Sequence, residues 1–445
     1  MPRDNFLSEQ CLSTPTQLCV ETLLFAPIHK KSISLGFVFD LLVNFRQDLC
    51  FCVPCWGCVG ERLHCRGAVD VDQEPSRSDV GGEPPPLRSV HTASFPPLMR
   101  QLGISLLVTT YQAGKVAILR EDGDCINTHF RAFPSPMGLA LAGDRLAIGT
   151  RFQIWEFHNV PAAARKLPPV GRHDACFLPR SCHVTGNVQV HEIAWAGDEL
   201  WFVNTRFSCL CTLDRNHSFV SRWRPPFVSA LTPEDRCHLN GLAMVNDRPR
   251  YVTALGATDA PAGWRANKAR GGVLFDVPSG ETIATGLSMP HSPRWYAGKL
   301  WLLESGTGSI GIVDPGSGRY QSIAELPGFT RGLDFHGRFA FIGLSQVRET
   351  AVFSGIPITE RLTERTCGVW VIDIQTGQTV AFLRFEDALQ EIFAVQVVLG
   401  RRYLDLINDD PALLDDSFVL TDEALEAVPP SLRSLAQDSS DQERE

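Results

Sequence analysis

A repeated pair of short apolar segments around a tight turn dominates the sequence between residues 91 and 405. It occurs five times, as MGLALAGDRLAIGT (137–150), HEIAWAGDELWFVNT (191–205), NGLAMVNDRPRYVTAL (240–255), HSPRWYAGKLWLLES (291–305) and RGLDFHGRFAFIGLS (331–345). Glycine or an Asn–Asp pair marks each turn, which is typical of β-hairpins. A second hairpin, whose first strand ends in aspartate, follows most copies, at Asp214, Asp276, Asp314 and Asp373. Each repeat therefore predicts a four-stranded antiparallel meander, the unit of a β-propeller.

The two ends of the repeat region complement each other. EIFAVQVVLGRR (391–402) is a sixth first strand with no partner after it, whereas residues 105–133 supply three strands with no first strand before them. Joining these ends completes a blade and removes the open sheet edges. We therefore predict an all-β fold, a six-bladed β-propeller closed by pairing of the C-terminal first strand with the N-terminal strands. A β-sandwich with extra hairpins is the alternative, but it explains neither the period nor the matching ends.

The flanks differ in character from the repeat region. Residues 1–90 are predicted to be a poorly ordered, Cys-rich extension that ends in a Pro/Gly-rich linker, and residues 406–445 an acidic C-terminal tail. Seven of the 14 cysteines precede residue 70, and the other seven show no repeating spacing. We expect those seven to be reduced, mostly buried thiols in a cytoplasmic protein. Cys209 and Cys211 are expected to face different sides of a strand and to serve in packing.

Composition excludes some classes of partner. The net charge of −9 argues against binding to nucleic acid, which requires a concentrated basic surface. No run of 18 apolar residues occurs, so no membrane partner is predicted either. The sequence also lacks a serine nucleophile elbow, a P-loop and a dinucleotide-binding fingerprint.

In a propeller, each first strand begins beside the central channel, at the face where the chain crosses between blades. We call this opening the mouth. Alignment of the first strands puts six residues there, and five of them are polar: Met137, His191, Asn240, His291, Arg331 and Glu391. Three long segments are expected on the same face, namely residues 158–189, 256–271 and 345–367. Long loops in a compact domain are usually functional, and a concave mouth with converging polar groups is the default ligand site.

Three interpretations of the mouth stay open from the residues alone. His191, His291 and Glu391 could hold a divalent metal such as Zn, Mn, Fe or Ca. Alternatively, a pocket without metal could grip an anionic small molecule through arginines. The residues predicted to bind a ligand are Asn240, Arg331, Arg206, Arg348, Trp264, Arg151 and His238. The third interpretation is a water-filled channel whose polar side chains satisfy one another.

Several long strings resemble an uncharacterised, largely bacterial family of conserved hypothetical proteins. These include RHDACFLPRS, WRPPFVSALTPEDRCHLNGLA, GLSMPHSPRW and ERTCGVWVIDIQTG. More loosely, the blades are similar to six-bladed propellers of the gluconolactonase and virginiamycin-lyase type, which implies a divalent metal at the mouth. Met137 and Arg331 depart from that pattern, because an arginine so placed repels a cation.

Together these observations predict a propeller with a polar pocket for a small molecule at the mouth. A metal-assisted hydrolase or lyase is one function that such a pocket could serve. The alternative is a non-catalytic scaffold that binds a protein partner through the same face. Fold alone does not choose between them.

Overall fold

The computed structural model describes residues 10–12, 87–346, 355–386, 388–415 and 417–430. The prediction for Arg348, and those for most of residues 1–90 and for residues 431–445, therefore lie outside the described residues. The first elements are strand β1 (Gln10–Leu12), strand β2 (Ser89–His91) and helix α1 (Phe95–Leu102).

The repeat region forms the six predicted blades, so the predicted fold class is confirmed. Blade 1 contains β3 (Ile104–Thr110), β4 (Lys115–Asp122) and β5 (Cys125–Ala132). Blade 2 contains β6 (Leu139–Ala142), β7 (Arg145–Gly149) and β8 (Gln153–Asn159), then helix α2 (Pro161–Ala164) and β9 (Ala175–Val184). Blade 3 contains β10 (Val190–Ala196), β11 (Glu199–Asn204), β12 (Cys209–Asp214) and β13 (His217–Trp223).

The other three blades follow the same order of strands. Blade 4 contains β14 (Leu239–Val245), β15 (Arg248–Ala254), a 3₁₀ helix (Gly263–Asn267), β16 (Gly272–Asp276) and β17 (Thr282–Leu287). Blade 5 contains β18 (Pro290–Tyr296), β19 (Lys299–Glu304), β20 (Ser309–Val313) and β21 (Tyr320–Glu325). Blade 6 contains β22 (Phe329–His336), β23 (Phe339–Ser345), helix α3 (Pro357–Arg361), β24 (Cys367–Asp373) and β25 (Thr379–Phe385).

The C-terminal strand closes the ring. Strand β26 (Ala394–Leu399) pairs antiparallel with β3, in a register that runs from Ala394 opposite Thr109 to Leu399 opposite Ile104. It is the first strand of blade 1, as predicted. The chain continues with β27 (Leu404–Leu406), α4 (Pro411–Leu414), β28 (Phe418–Leu420) and α5 (Asp422–Glu426).

Extra strands cover two blade edges and the C-terminal segment. Strand β2 adds to the outer strand β25 of blade 6, and β27 adds in parallel to β9 of blade 2. Strand β1 pairs with β28. Covering an outer strand removes exposed backbone donors and acceptors that could template aggregation.

The predicted aspartate turns are present. In the turns after β20 and β24, Asp314 and Asp373 each accept a hydrogen bond from the backbone N–H two residues on, at 3.0 and 2.9 Å.

The hydrophobic core lies between neighbouring blades, whose apolar faces pack against each other. Phe202, Trp301 and Phe341 are among its largest buried side chains.

The prediction that residues 158–189 form a long segment on the mouth face is wrong. Residues 175–184 form β9, and the segment before it lies at the face opposite the mouth, because the Asn159 N–H bonds to the Asp144 carbonyl in the β6–β7 turn. Only the end of this stretch reaches the mouth.

In the described part of the chain, the seven cysteines from Cys125 to Cys367 form no disulfide and five of them are buried, in agreement with the expectation of mostly buried thiols. The expectation that Cys209 and Cys211 face different sides is wrong, because residues two apart on a strand share a face. Their expected packing role is confirmed, because both are buried in the same hydrophobic core. Their sulfur atoms lie 3.4 Å apart. No helix among the described residues is long and apolar enough to cross a membrane.

Candidate functional site

A cavity of about 200 Å³ opens at the mouth of the channel. Five of the six blades contribute to its wall, together with the segments that join them. The lining residues are Tyr111, Met137, Gln189, His191, Asp235, His238, Leu255, Trp264, Arg265, Met289, His291, Phe329, Arg331, Glu391 and Phe393.

Hydroxyl groups tie neighbouring blades together around this cavity. Thr109, Thr205, Ser305 and Ser345 each bond to a backbone carbonyl where the next first strand begins, at Met137, Leu239, Thr330 and Ile392. The residues after these carbonyls are therefore equivalent positions. This corrects two of the six aligned residues, because Gly138 and Phe393 take the places predicted for Met137 and Glu391, which still line the cavity.

His191 and His291 are held by the same arrangement in blades 3 and 5. The Nδ1 atom of His191 lies 3.1 Å from the carbonyl oxygen of Gln189 and 2.8 Å from the hydroxyl of Thr205. In the other blade, Nδ1 of His291 lies 2.9 Å from both the carbonyl of Met289 and the hydroxyl of Ser305. Because a carbonyl only accepts, Nδ1 carries the proton in both rings. Nε2 is then left with a lone pair.

The backbone next to these two histidines adopts an unfavourable conformation. Gln189 and Met289 adopt positive φ angles of 55° and 48°, which non-glycine residues rarely do. Each of them turns its carbonyl toward the histidine two residues later. Asp235 and His238 also have positive φ angles, 48° and 51°. Strained residues of this kind cluster at functional sites, because the surrounding structure must hold them there.

Both histidines are uncharged at neutral pH. Burial lowers the pKa of His191 well below its ordinary value, and the nearby His238 and Arg331 lower it further. Burial, followed by the charge of Arg331, likewise lowers the pKa of His291. Two hydrogen-bond acceptors, rather than two cations, therefore face the cavity from these blades.

Arg331 supplies the positive charge. Its Cζ atom lies 3.5 Å from the centre of the Phe393 ring, and its Nη1 atom donates to Glu391 at 3.1 Å. Burial lowers the pKa of Arg331 to about 10, so the guanidinium stays protonated at neutral pH. Burial also raises the pKa of Glu391, against the opposing effect of Arg331. Within the described residues, Nη1 is the one nitrogen of the Arg331 guanidinium that makes a hydrogen bond.

Asp235 and His238 form a third polar group at the mouth. Both carboxylate oxygens of Asp235 lie within 3.0 Å of Nδ1 of His238. The indole N–H of Trp264 donates to the same carboxylate at 3.0 Å. Nδ1 of His238 therefore also bears the proton, and Nε2 is the basic atom of the ring.

Charges deeper in the channel are already paired. Arg294 donates to Glu192 at 2.6 Å, and Gln396 donates to Asp334 at 2.6 Å. This layer lies below the cavity, on the same first strands. It gives the cavity a floor, so that Arg331 is the buried cation that a bound molecule meets, whereas Arg265, the other arginine of the lining, is exposed.

Six of the predicted site residues line the cavity, and the structure brings them together: His191, His238, Trp264, His291, Arg331 and Glu391. Asn240 instead bridges blades 4 and 5, accepting from Thr253 and donating to the Pro290 carbonyl. Arg206 donates to the Pro233 carbonyl, and Arg151 lies over the Phe152 ring, both outside the cavity.

The predicted metal ligands do not fit a metal ion. Arg331 engages the carboxylate of Glu391 at 3.1 Å, so a cation already contacts the only negatively charged member of the predicted ligand set. The described residues contain no group of three or more His, Cys, Asp or Glu side chains arranged to hold a metal. The donor set of His191, His291 and Glu391 is therefore not an ion cage, and no step through a metal follows from it.

Asp235 and Phe393 were missed by the sequence analysis. Asp235 precedes His238 by three residues in EDRCH, a spacing that allows a local carboxylate–imidazole bond and could have indicated the pair. Phe393 gave no signal, because an aromatic residue in a first strand normally indicates packing.

Comparisons with known proteins found weakly similar solved structures and one matching family. Three similar solved structures are a nidogen/laminin complex, a protein of unknown function from Bacteroides caccae and the designed protein Ika8. Sequence identities are 12, 11 and 14%, with TM-scores of 0.40, 0.43 and 0.31. The matches cover 67, 66 and 66% of this chain, and 99, 98 and 77% of the other chains.

No curated protein matches the chain. The family described as "Domain of unknown function (DUF4915)" matches residues 93–406, which begin just before α1 and end with β27. This span contains all six blades and every described residue that lines the cavity. The chain therefore belongs to the DUF4915 family.

Proposed function

We propose that the mouth of the propeller binds a small hydroxycarboxylate. The observation that carries the proposal is Arg331, a guanidinium with a side chain only 12% exposed, whose one described hydrogen bond goes to Glu391. A buried guanidinium with donors to spare suits a planar anion, which can accept two parallel N–H bonds. A carboxylate has this shape.

The charge balance favours a single negative charge on the ligand. Two cations, Arg331 and the exposed Arg265, and two carboxylates, Glu391 and Asp235, line the cavity, so its described lining carries little net charge. A phosphate monoester carries close to two charges at neutral pH and would meet too little compensation. The cavity therefore suits a monoanion.

The two neutral imidazoles indicate what else the ligand carries. Nε2 of His191 and of His291 can only accept a hydrogen bond, because Nδ1 holds the proton in each ring. Hydroxyl groups of a ligand would donate to these atoms. A cavity of about 200 Å³, small among ligand pockets, limits the ligand to the size of a metabolite.

Two other functions compete with this proposal. The metal-assisted hydrolase or lyase implied by gluconolactonase-type propellers would need Glu391 released from Arg331. A protein-interaction scaffold would use the same mouth and loops without needing the cavity. A scaffold would differ from a ligand-binding protein in one measurable way, because small molecules should not stabilise it.

The test is thermal unfolding of the full chain with the monoanions lactate, glycerate and gluconate and, for comparison, the dianion tartrate, each against chloride at equal ionic strength. Occupancy of a site at 100 times Kd stabilises the native state by about 2.7 kcal/mol, so Tm should rise with concentration. Arg331→Met should abolish the rise, because it removes the cation while keeping much of the side-chain volume.

Arg206→Met is the matched control. Arg206 lies near the mouth but outside the cavity, so this variant should keep the full rise in Tm. The proposal fails if none of the four anions raises Tm, or if the two variants respond alike.

A further inference from the structure

We infer that His238, backed by Asp235, is a general base that removes the proton from the carbon next to the carboxylate of a hydroxycarboxylate bound at Arg331. This inference rests on the proposed function and adds a reaction to it. If it holds, the mouth of the propeller is a catalytic site for proton abstraction as well as a binding site.

The Asp235–His238 pair is held in place from several directions. Besides the two contacts with Nδ1, Asp235 accepts from Trp264, and its backbone N–H bonds to the Arg206 carbonyl at 2.9 Å. The His238 ring lies 4.5 Å from the Trp264 ring. Both residues adopt positive φ angles, so the fold fixes this pair in an unfavourable conformation.

A continuous set of rings joins the base to the cation along the cavity wall. His238 meets His191 edge to face, with centroids 4.8 Å apart, and His191 meets Phe393 in the same way at 5.0 Å. Phe393 in turn lies under Arg331. A ligand whose carboxylate contacts Arg331 therefore occupies the cavity that His238 also lines. The inference requires C2 of that ligand to lie within about 3.5 Å of Nε2 of His238.

The step balances within the site. The C–H bond breaks, its electron pair moves onto the carboxylate oxygens, and the proton passes to Nε2 of His238. Arg331 stabilises the increased negative charge on oxygen, while Asp235 stabilises the imidazolium. The reverse step returns a proton to the carbon, so no oxidant, reductant or metal enters the balance.

His191 and His291 are unsuited to this role. Their Nδ1 atoms bond to a neutral carbonyl and a hydroxyl, so no negative charge compensates an imidazolium there. The Thr205 and Ser305 hydroxyls donate to backbone carbonyls and are not available as nucleophiles. His238 is the mouth histidine that contacts a carboxylate.

The chain contains a matched control for the pair. His217 follows Asp214 by three residues, and its Nδ1 lies 2.6 Å from the Asp214 carboxylate. That pair sits in the β12–β13 turn, with the His217 side chain 70% exposed and outside the cavity. The local spacing is therefore the same, and the surroundings differ.

The experiment measures exchange of the C2 proton of lactate, glycerate and gluconate for deuterium in D₂O by ¹H NMR, with the full chain. Wild type should catalyse exchange with at least one anion that raises its Tm. His238→Asn keeps a donor near the Nδ1 position and should remove the exchange. Asp235→Asn should slow it about 10²-fold or more, and His217→Asn should leave it unchanged.

The outcomes separate this inference from the proposed function. Absence of any Tm response overturns both. Binding without exchange, or exchange that survives His238→Asn, overturns the general base alone. Tm and its shift with ligand are measured for each variant. If His238→Asn fails to fold or to bind, the exchange rates of His238→Gln and Asp235→Asn test the inference instead. Unchanged exchange in Asp235→Asn overturns the inference.

Discussion

At the scale of single residues, the mouth histidines depend on contacts between blades. Nδ1 of His191 bonds to the Thr205 hydroxyl, which donates to the Leu239 carbonyl at the start of the next blade. Ser305 repeats this connection between His291 and Thr330. The orientation of each imidazole is therefore fixed by the same hydrogen bonds that hold two blades together.

The lowered pKa values of these histidines predict a dependence of stability on pH. An unfolded histidine has a pKa near 6.5, whereas burial holds the pKa of His191 and His291 well below that value in the native state. Below pH about 6.5 the unfolded chain therefore binds more protons, and the free energy of unfolding falls as the pH falls.

Replacing both histidines should weaken this dependence. In the double variant His191→Asn, His291→Asn, the slope of unfolding free energy against pH between about 5 and 6.5 should decrease by up to about 1.4 kcal/mol per pH unit for each histidine. Urea titrations at several pH values measure it, with His217→Asn as the exposed control. An unchanged slope would show that the native histidines are protonated as readily as unfolded ones.

Residues whose positions the repeat fixes could be located from the sequence, whereas residues whose roles depend on tertiary contacts could not. His191, His291 and Arg331 occupy equivalent strand positions, so the apolar period located them. Asn240 shares that position, yet its amide is consumed by Thr253 and the Pro290 carbonyl. No pattern in the sequence indicates which polar side chain a neighbouring blade will satisfy.

At the scale of elements, close approach between first strands sets the width of the channel. A Cβ atom on Gly241 in β14 would overlap Pro293 of the next first strand and the hydroxyl of Thr253. Glycine at this position lets blades 4 and 5 meet beside the cavity. The constraint comes from space, since the backbone angle of Gly241 is ordinary.

Gly241→Ala should therefore destabilise the propeller by about 1–3 kcal/mol, the usual cost of overpacking. Gly316→Ala is the control, because a Cβ there meets only the Asp314 carboxylate, at 3.5 Å. It should change stability by no more than about 0.5 kcal/mol. Equal midpoints in urea for both variants would contradict the tight packing of these strands.

Residues 158–189 were misassigned because they contain an outer strand, β9. Strand β9 is buried at its start, but residues 180–182 are exposed, so apolar alternation fades along it. A first strand, by contrast, packs against both neighbouring blades and keeps its pattern. Hydrophobic period is therefore a reliable guide to the inner strands of a propeller and a weak one to its rim.

At the scale of the whole molecule, closure determines where the site lies. Strand β26 completes blade 1, and the segment just before it brings Glu391 and Phe393 to Arg331 of blade 6. The matching deficits at the two ends of the sequence predicted this closure. The pairing of Glu391 with Arg331 was beyond sequence reasoning, because it depends on side-chain directions across the seam.

The chain as a whole carries a charge of −9, yet its mouth presents a cation to a small cavity. The proposed anion binding would therefore be a local property of Arg331 and its surroundings. The same arrangement disfavours a metal, which would have to displace the guanidinium from Glu391.

The most direct test of this account is a crystal structure of the full chain grown with the hydroxycarboxylate that raises Tm most. We predict a carboxylate within about 3 Å of the Arg331 guanidinium nitrogens, and a ligand hydroxyl about 2.8 Å from Nε2 of His191 or His291. A spherical peak about 2.0–2.2 Å from the imidazole nitrogens would instead indicate a metal and contradict the account. So would a ligand bound elsewhere with the mouth holding only water.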